Sequence, residues 1–432
     1  MSAGGHRGDV THAFARNAHA QLASGLVIRP GQSWNTAYQQ ASCGQVISLA
    51  AGTHPGQTLL ENAALNSCAR PVTFEPVPGA SVTVNNHVSF GNCSGCYSNN
   101  APSNIVLRGF SFGKIIYMYG DARNILIDNV NGGGLLVQGV NDITVRNSDF
   151  GPCNSRDPGW CDRVFIQDAR GTDPTATQNV LFENNRIHDY ITTPIGDHWE
   201  CMFTTGGTNV TIRRNRFWNC QTYAIALGER SNSDYVNWTV ENNWFGRTCC
   251  FTGGGNRSSA IMFGNAPVSD TLIRFNTFIR GQGVVQEGRE VGANVRVAKN
   301  ILSHTGCMRG VRYSGNLFAT GTCSADDRSG VYGYRFNGVR LKVDGPRGKA
   351  IQAAYASVAH GRPLRSVARL LAHTPPPSPP GGWNARTLRR LLADDVYLGR
   401  RLGWQKQHAA IVSGWRWRQV QRVLEGKFPR GR

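Results

Sequence analysis

The sequence predicts two modules of different architecture: a solenoid of short stacked strands over residues 25–325, then a small, mainly helical, strongly basic module over residues 331–426. Three observations carry this division. A strand-and-asparagine phrase recurs eight times between residues 104 and 318. All 12 cysteines lie between Cys43 and Cys323. The formal charge of +19 gathers at one end: residues 331–432 hold 20 Lys/Arg against four acids (Asp344, Asp394, Asp395, Glu425), while the first 330 residues hold 26 basic and 23 acidic residues. A joint shift in charge and cysteine content, with prolines clustered at 375–380, marks a seam between modules.

Composition bounds the classes. Hydrophobic residues at 40% and charged residues at 17% describe a chain that can bury a core. Fifty-one glycines without a three-residue period exclude collagen and imply many turns. No stretch approaches the ~20 consecutive apolar residues of a bilayer-spanning helix, so no membrane partner is expected.

The phrase is a polar residue, an apolar–x–apolar pair, one or more Asn, then a bulky apolar residue. It runs through Asn104 to Leu107, Asn124 to Val130, Asp142 to Asn147, Asn179 to Ile187, Asn209 to Phe217, Trp238 to Phe245, Leu272 to Phe278 and Asn294 to Leu302. Alternation with period two reads as a short strand with one buried face. Such strands are too short to stand alone; stacked once per turn they bury a continuous core. Asn after each strand suits the turn, because it tolerates the left-handed region and can bond to the Asn one rung away. The alternative is an antiparallel sandwich of short strands, although hairpin turns rarely repeat one Asn-centred phrase.

On these repeats, and on Ser33 to Tyr38 followed by Val46 to Leu49 and Gly52-Thr53 as a capping helix and first rung, residues 25–325 resemble the right-handed parallel β-helix family with the pectate-lyase-like fold. That resemblance implies a fold and leaves activity open, since the family includes lyases, hydrolases, epimerases, adhesins and inert scaffolds. Neighbouring cysteines read as pairs Cys43–Cys68, Cys93–Cys96, Cys153–Cys161, Cys201–Cys220 and Cys307–Cys323, with Cys249 and Cys250 adjacent. Zinc is the rival, but the one C-x-x-C, at Cys93 and Cys96, has no second pair to complete a four-ligand site. Disulfides imply an exported type of chain. Residues 1–24 read as disordered or unassigned, and Met1 to Val27 contains no apolar run readable as a signal peptide.

The densest polar group of the solenoid is Asp197-His198-Trp199-Glu200, with His188-Asp189 before it and Arg213-Arg214 after it. Asp197, His198, Glu200, Asp189 and Arg213 are therefore the candidate catalytic residues for elimination or hydrolysis of an acidic polysaccharide. Elimination needs a carboxylate neutralised, by Ca²⁺ on Asp/Glu oxygens for example, and a base for the C5 proton. Hydrolysis needs two carboxylates, for which Asp197 with Glu200 or Asp189 would serve. The competing reading has these residues bonding to the turns of a long insertion. Trp199, Trp218, Trp238 and Trp244 could stack sugars or fill the core.

In the basic module, Ile351, Tyr355 and Val358, then Leu364, Val367, Ala368 and Leu371, predict two helices joined at His360-Gly361. Asn384 is an N-cap for 385–392, where Arg386, Arg389 and Arg390 fall opposite Leu388, Leu391 and Leu392. A further helix beginning at Ser413 turns Trp417, Val420 and Leu424 inward. The ordered motifs from Tyr332-Gly333-Tyr334-Arg335 through Trp383 to Leu392 and Val396 to Arg400, ending at Trp417 and Val420, resemble the DNA-binding "recombinase" domain of large serine recombinases (site-specific integrases). The resemblance implies double-stranded DNA as a partner and places Arg386, Arg389, Arg390, Arg400 and Arg401 near phosphates or base edges. Arg365 and Arg369 on the preceding helix belong to the same basic set. That family's catalytic domain with its serine nucleophile has no counterpart here, nor has its zinc ribbon, so strand exchange by this chain alone is not expected. Residues 427–432 form a basic tail.

The leading expectation is therefore DNA binding through residues 331–426, fused to a β-helix. The alternative is an extracellular polysaccharide lyase or hydrolase, or a non-catalytic glycan-binding β-helix, with an incidental basic tail. The compartments conflict: disulfides need an oxidising space, whereas DNA binding needs the cytoplasm.

Overall fold

The computed structural model describes residues 26–92, 100–153, 163–168, 176–191, 199–228, 235–248, 259–279, 282–286, 291–303, 307–318, 323–324, 328–329, 332–336, 341–373, 379, 382–399 and 409–425. The solenoid is a parallel β-helix with three faces. Face A carries one strand per coil: Leu26–Ile28, Val46–Leu49, Val72–Pro76, Ser103–Arg108, Arg123–Asp128, Asn141–Arg146, Gln178–Glu183, Gly207–Arg213, Tyr235–Glu241, Leu272–Arg274, Arg296–Ala298 and Arg312–Ser314. The repeated phrase is this face. Its inward positions stack in register as Leu107, Ile127, Val145, Phe182, Ile212, Val240, Ile273 and Val297. The strands of the solenoid pair in parallel, and the antiparallel pair Tyr334–Phe336 with Leu341–Val343 lies beyond it, which excludes the sandwich.

After face A each coil turns into face B (Asp149–Phe150, Arg186–Tyr190, Arg216–Cys220, Trp244–Phe245, Thr277–Phe278, Ile301–Leu302, Leu317–Phe318) and then face C (Val164–Gln167, Met202–Thr205, Tyr223–Leu227, Ser259–Phe263, Val284–Gln286). In the earlier coils Ser111–Tyr119 and Asn131–Gln138 serve both faces. The A-to-B corner divides between two residues the work expected of one Asn. Asn147, Asn184, Arg214, Asn242, Phe275 and Lys299 take the left-handed conformation. The next residues, Ser148, Asn185, Asn215, Asn243, Asn276 and Asn300, are buried. Each donates its backbone N–H to the side-chain oxygen of the Asn one coil on, at 2.8–3.0 Å, ending at Asn316. A second row of left-handed residues, Asp142, Asn179, Asn209 and Asn237, links coil to coil on the outside.

Helix Trp34–Gln39, N-capped by Ser33 through Thr36 N–H, closes the first coil. Trp34 stacks on Phe74 at 5.4 Å, and the Tyr38 hydroxyl donates to Ser103 O at 2.7 Å, with burial pushing that phenol up to about 12. Disulfides Cys43–Cys68, Cys201–Cys220 and Cys307–Cys323 form as the neighbouring cysteines predict. Cys153 is also disulfide-bonded. Cys161, Cys93 and Cys96 lie outside the described residues, as do residues 1–25 and the basic tail from 426.

The basic module adds helices Gly345–Ala359, Leu364–Ala372, Ala385–Leu392 and Gly414–Leu424, close to the expected bounds. Asp344, Asn384 and Ser413 cap three of them. Gly361, at φ 80°, makes the turn after His360. Ile351, Tyr355, Val358, Val367, Ala368, Leu371, Leu388, Leu391, Leu392 and Val420 form one core, and that core also contains Ile301 and Leu317 of the solenoid. Ile301 and Leu317 pair with each other on the outward side of face B, while Leu302 and Phe318 beside them point into the coils. The module is docked on face B at the last coils. Among the described residues no helix is long and apolar enough to cross a membrane.

Candidate functional site

The candidate catalytic residues separate. Arg213 ends a face A strand, where its guanidinium bonds both oxygens of Glu183 at 3.0 and 3.1 Å. It is one rung of an alternating-charge ladder running Arg108, Asp128, Arg146, Glu183, Arg213, Glu241, Arg274. At Asp128 burial alone would raise the carboxyl, but hydrogen bonds from Arg146 and Asn147 and the charges of Arg146 and Arg108 together hold it below the ordinary value. Glu200 is buried before the face C strand and pairs with Arg163, whose guanidinium lies 5.1 Å from Trp199 and 5.3 Å from Phe203. Asp189 belongs to face B, and Asp197 and His198 lie outside the described residues. Asp197, which both pairs expected for hydrolysis require, is among the residues not described, and its two expected partners, Asp189 and Glu200, lie on different faces.

Face B gathers a different group. Strands Arg186–Tyr190 and Arg216–Cys220 pair so that Arg186 sits over Arg216 and His188 over Trp218. The next pairing places Trp244 after Arg216. Because alternate residues share a side, Ile187, Phe217 and Phe245 enter the core while Arg186, Arg216, His188, Trp218 and Trp244 line the outside. The His188 and Trp218 rings stack at 4.1 Å with planes 7° apart. Both imidazole nitrogens face carboxylates: Nδ1 lies 2.5 Å from Asp189 Oδ2 and Nε2 lies 2.8 Å from Asp149 Oδ1. A carboxylate on each side of the ring clamps it in place. Arg186 also pairs with Asp149, and Asn219 Nδ2 donates to the other Asp189 oxygen at 2.6 Å.

Gly246 explains how Trp244 joins this group. A Cβ at Gly246 would lie 2.7 Å from two atoms of the Trp244 indole and 2.9 Å from Trp218 Cβ. The indole therefore lies across the glycine beside Trp218, still 37% exposed. Arg216 and Arg247 are exposed alongside, and neither has an ion-pair partner among the described residues. The result is a strip of His188, Trp218 and Trp244 flanked by guanidinium groups. The four tryptophans singled out in the sequence divide: Trp238 is core, donating to Gly207 O at 2.7 Å, Trp199 is buried beneath Arg163, and Trp218 and Trp244 form the strip. Aligning the repeats on Asn185, Asn215 and Asn243 puts Arg186, Arg216 and Trp244 in one column and His188 and Trp218 in the next. That was the available signal for the strip.

Calcium does not fit the residues in view. Among the described residues no three His, Cys, Asp or Glu come together as a cation site. The Asp149 and Asp189 carboxylates are already engaged by His188, Arg186 and Asn219.

In the basic module Arg365 and Arg369 are exposed on the helix that buries Val367, Ala368 and Leu371, and Arg386, Arg389 and Arg390 on the helix that buries Leu388, Leu391 and Leu392. Arg389 is held by a 2.8 Å bond to Leu424 O, and Arg400 and Arg401 lie outside the described residues.

No protein-family model matches the chain, and no curated protein matches it. The solved structures similar to it include PfbA, a surface adhesin of Streptococcus pneumoniae, at TM-score 0.47 and 15% identity over 68% of this chain and 84% of the adhesin. Alginate lyase from Paenibacillus sp. str. FPU-7 is similar at TM-score 0.40 and 13% identity, covering 70% and 99%. The PL6 family alginate lyase AlyGC follows at 0.33 and 12%, covering 74% of this chain and 55% of its own. An adhesin and lyases stand together in this set, so the likeness decides no activity.

Proposed function

We propose that face B of the solenoid binds an acidic polysaccharide. The observation that carries this reading is the seating of Trp244 over Gly246 beside Trp218, with Arg216 and Arg247 exposed next to it. Indole faces pack against the C–H faces of pyranose rings, and guanidinium forks pair with carboxylates in two parallel bonds. Coils repeat every ~4.8 Å, so Arg216 and Arg247, on successive coils, offer cations about one coil apart to a polymer lying along the axis. Binding fits this surface better than hydrolysis does, because Asp149 and Asp189 are both committed to the His188 clamp. Titrating tryptophan fluorescence with polygalacturonate, alginate and a neutral glucan tests the reading. Saturable quenching by the acidic polymers that weakens with salt and is lost in Trp244→Ala supports it. Equal response to the neutral glucan, or none to any polymer, refutes it.

A second reading, double-stranded DNA binding by residues 331–426, is favoured by a separate observation: Arg386 and Arg390 are exposed on the helix face opposite Leu388, Leu391 and Leu392. A basic face of this kind fits the phosphate backbone. Duplex affinity that falls steeply with salt, and falls further in Arg386→Ala/Arg390→Ala, supports it. Duplex affinity unchanged by that double substitution removes it.

A further inference from the structure

We infer a second carbohydrate-binding subsite at the corner between faces B and C in the N-terminal coils, built from Asn86, His87, Lys114 and Tyr117. The inference rests on the acidic-polysaccharide reading of face B and extends it to another part of the same side of the solenoid. Asn86 Oδ1 and His87 Nδ1 are buried polar atoms without a hydrogen-bond partner, on adjacent residues. Buried polar atoms are nearly always paired, so two neighbouring orphans call for a ligand that supplies donors. The His87 ring lies 4.9 Å from the Tyr117 ring, which itself stacks on Tyr119 at 5.4 Å. Strand Val88–Phe90, which follows His87, pairs with the part of Ser111–Tyr119 that carries Tyr117.

A cavity of about 430 Å³ opens one coil earlier. Its walls include Gln32, Asn35, Gln57, Thr58 and Asn92, all amide or hydroxyl groups without charge. It adjoins the orphan pair, because Gly56 in its wall would place a Cβ 3.1 Å from Asn86 Cβ and Gln57 N–H donates to His87 O at 2.9 Å. Burial and then the charge of Lys114 hold the imidazole below its ordinary value, against the opposing hydrogen bond of the ring to the Ile115 backbone, so the neutral form, with Nδ1 left to accept, is favoured. A hydroxyl-rich ligand suits such a place: sugar hydroxyls donate to Asn86 Oδ1 and His87 Nδ1, Tyr117 offers a ring face, and Lys114 takes a carboxylate. His87 and His188 stand four coils apart, about 19 Å at ~4.8 Å per coil. One uronate chain along the axis would meet both sites.

The test follows two reporters while trigalacturonate and a longer oligogalacturonate are added to the full chain. Tryptophan fluorescence reports the Trp218–Trp244 strip, and long-range ¹H–¹⁵N spectra report His87 Nδ1. The expected result is that both respond to the longer oligomer, that the His87 nitrogen moves as a new donor reaches it, and that affinity for the longer oligomer falls at least tenfold in His87→Ala and in Lys114→Met with circular dichroism unchanged. If the tryptophans respond while His87 does not, the inferred subsite is overturned and the face B reading stands. If His87 responds while the tryptophans do not, the subsite stands and the face B reading falls. Silence of both removes both. Should His87→Ala unfold, His87→Gln, which keeps an acceptor, replaces it, and retained affinity there with loss in Lys114→Met still supports the subsite.

Discussion

Asn243 tests whether the buried asparagine row holds the coils together. Its Oδ1 accepts the Asn215 backbone N–H at 2.8 Å and Asn215 Nδ2 at 3.1 Å. Its Nδ2 donates to Ile212 O at 2.8 Å and to Asn276 Oδ1 at 3.0 Å. The side chain is 2% exposed, so water cannot replace these partners. Asn243→Ala takes the acceptor from the Asn215 N–H and the amide donor from Ile212 O. At roughly 1–3 kcal/mol for each buried group left unsatisfied, the expected loss is about 2–6 kcal/mol. Arg214→Gly is the control: Arg214 is left-handed at φ 59°, a conformation glycine adopts freely, and its ion pair to Glu183 is exposed, so stability should change by less than about 1 kcal/mol. Urea unfolding followed by tryptophan fluorescence measures both, with the midpoint moving and the slope constant. Because solenoid stability is transmitted between neighbours, hydrogen exchange should first quicken in the coils on either side. A loss below about 1 kcal/mol for Asn243→Ala would refute the row as a structural element.

Three further outcomes follow from the same geometry. Asp128 titrates below the usual carboxylate range in the folded chain, so its contribution is present above the ordinary Asp value and disappears as pH falls through the lower folded value; Asp128→Asn should flatten the acid limb of the stability profile, and an unchanged acid limb would contradict the assignment. Gly246→Ala forces a Cβ to within 2.7 Å of the Trp244 indole and should lower polyuronate affinity about tenfold, ~1.4 kcal/mol, in the titration that reads Trp244→Ala; wild-type affinity would show that the indole's seat is irrelevant. Removing the Cys201–Cys220 disulfide, which joins residues 19 apart, as Cys201→Ser/Cys220→Ser should cost about 3 kcal/mol by urea unfolding, and equal stability of the variant and the oxidised protein would show that the crosslink contributes nothing.

Face A was legible because its strands are long enough to alternate: Ile125 and Ile127, Val180 and Phe182, Val210 and Ile212 point inward from either side of an outward residue. Faces B and C were not: face B strands such as Asp149–Phe150, Trp244–Phe245 and Thr277–Phe278 have two residues, and face C strands such as Tyr223–Leu227 and Ser259–Phe263 are buried at every position, so neither shows an alternation to detect. The site suffers from the same cause. His188 meets Trp218 across 30 positions of sequence through register alone, whereas Arg213 looked close to Asp189 because sequence distance ignores the corner between them. Helix Ala385–Leu392 was readable to the residue, because Asn384 caps it and Leu388, Leu391 and Leu392 share one arc. Its module's dependence on the solenoid was not, since Ile301 and Leu317 look like any other apolar positions of the repeat.

Those two residues tie the helices that follow the solenoid to its last coils. On the outward column of face B the coils carry Asp149, Arg186, Arg216, Trp244 and Thr277, and then the column turns apolar at Ile301 and Leu317. A column that pointed to water would have no reason to change, and here it changes where the helical core covers it. Docking therefore accounts for the apolar inner surface of the basic module, while its exposed arginines take no part in that core. Leu317→Asp places a carboxylate where the leucine is 3% exposed, and a buried charge without a partner costs several kcal/mol. The helices should detach while the coils persist, because Leu302 and Phe318 inside them are untouched. Limited trypsin digestion, with circular dichroism of the remaining fragment, measures this. Rapid cleavage near the seam with the β-rich spectrum retained is the expected outcome, and a digestion pattern identical to wild type would mean that the module does not depend on face B for its position.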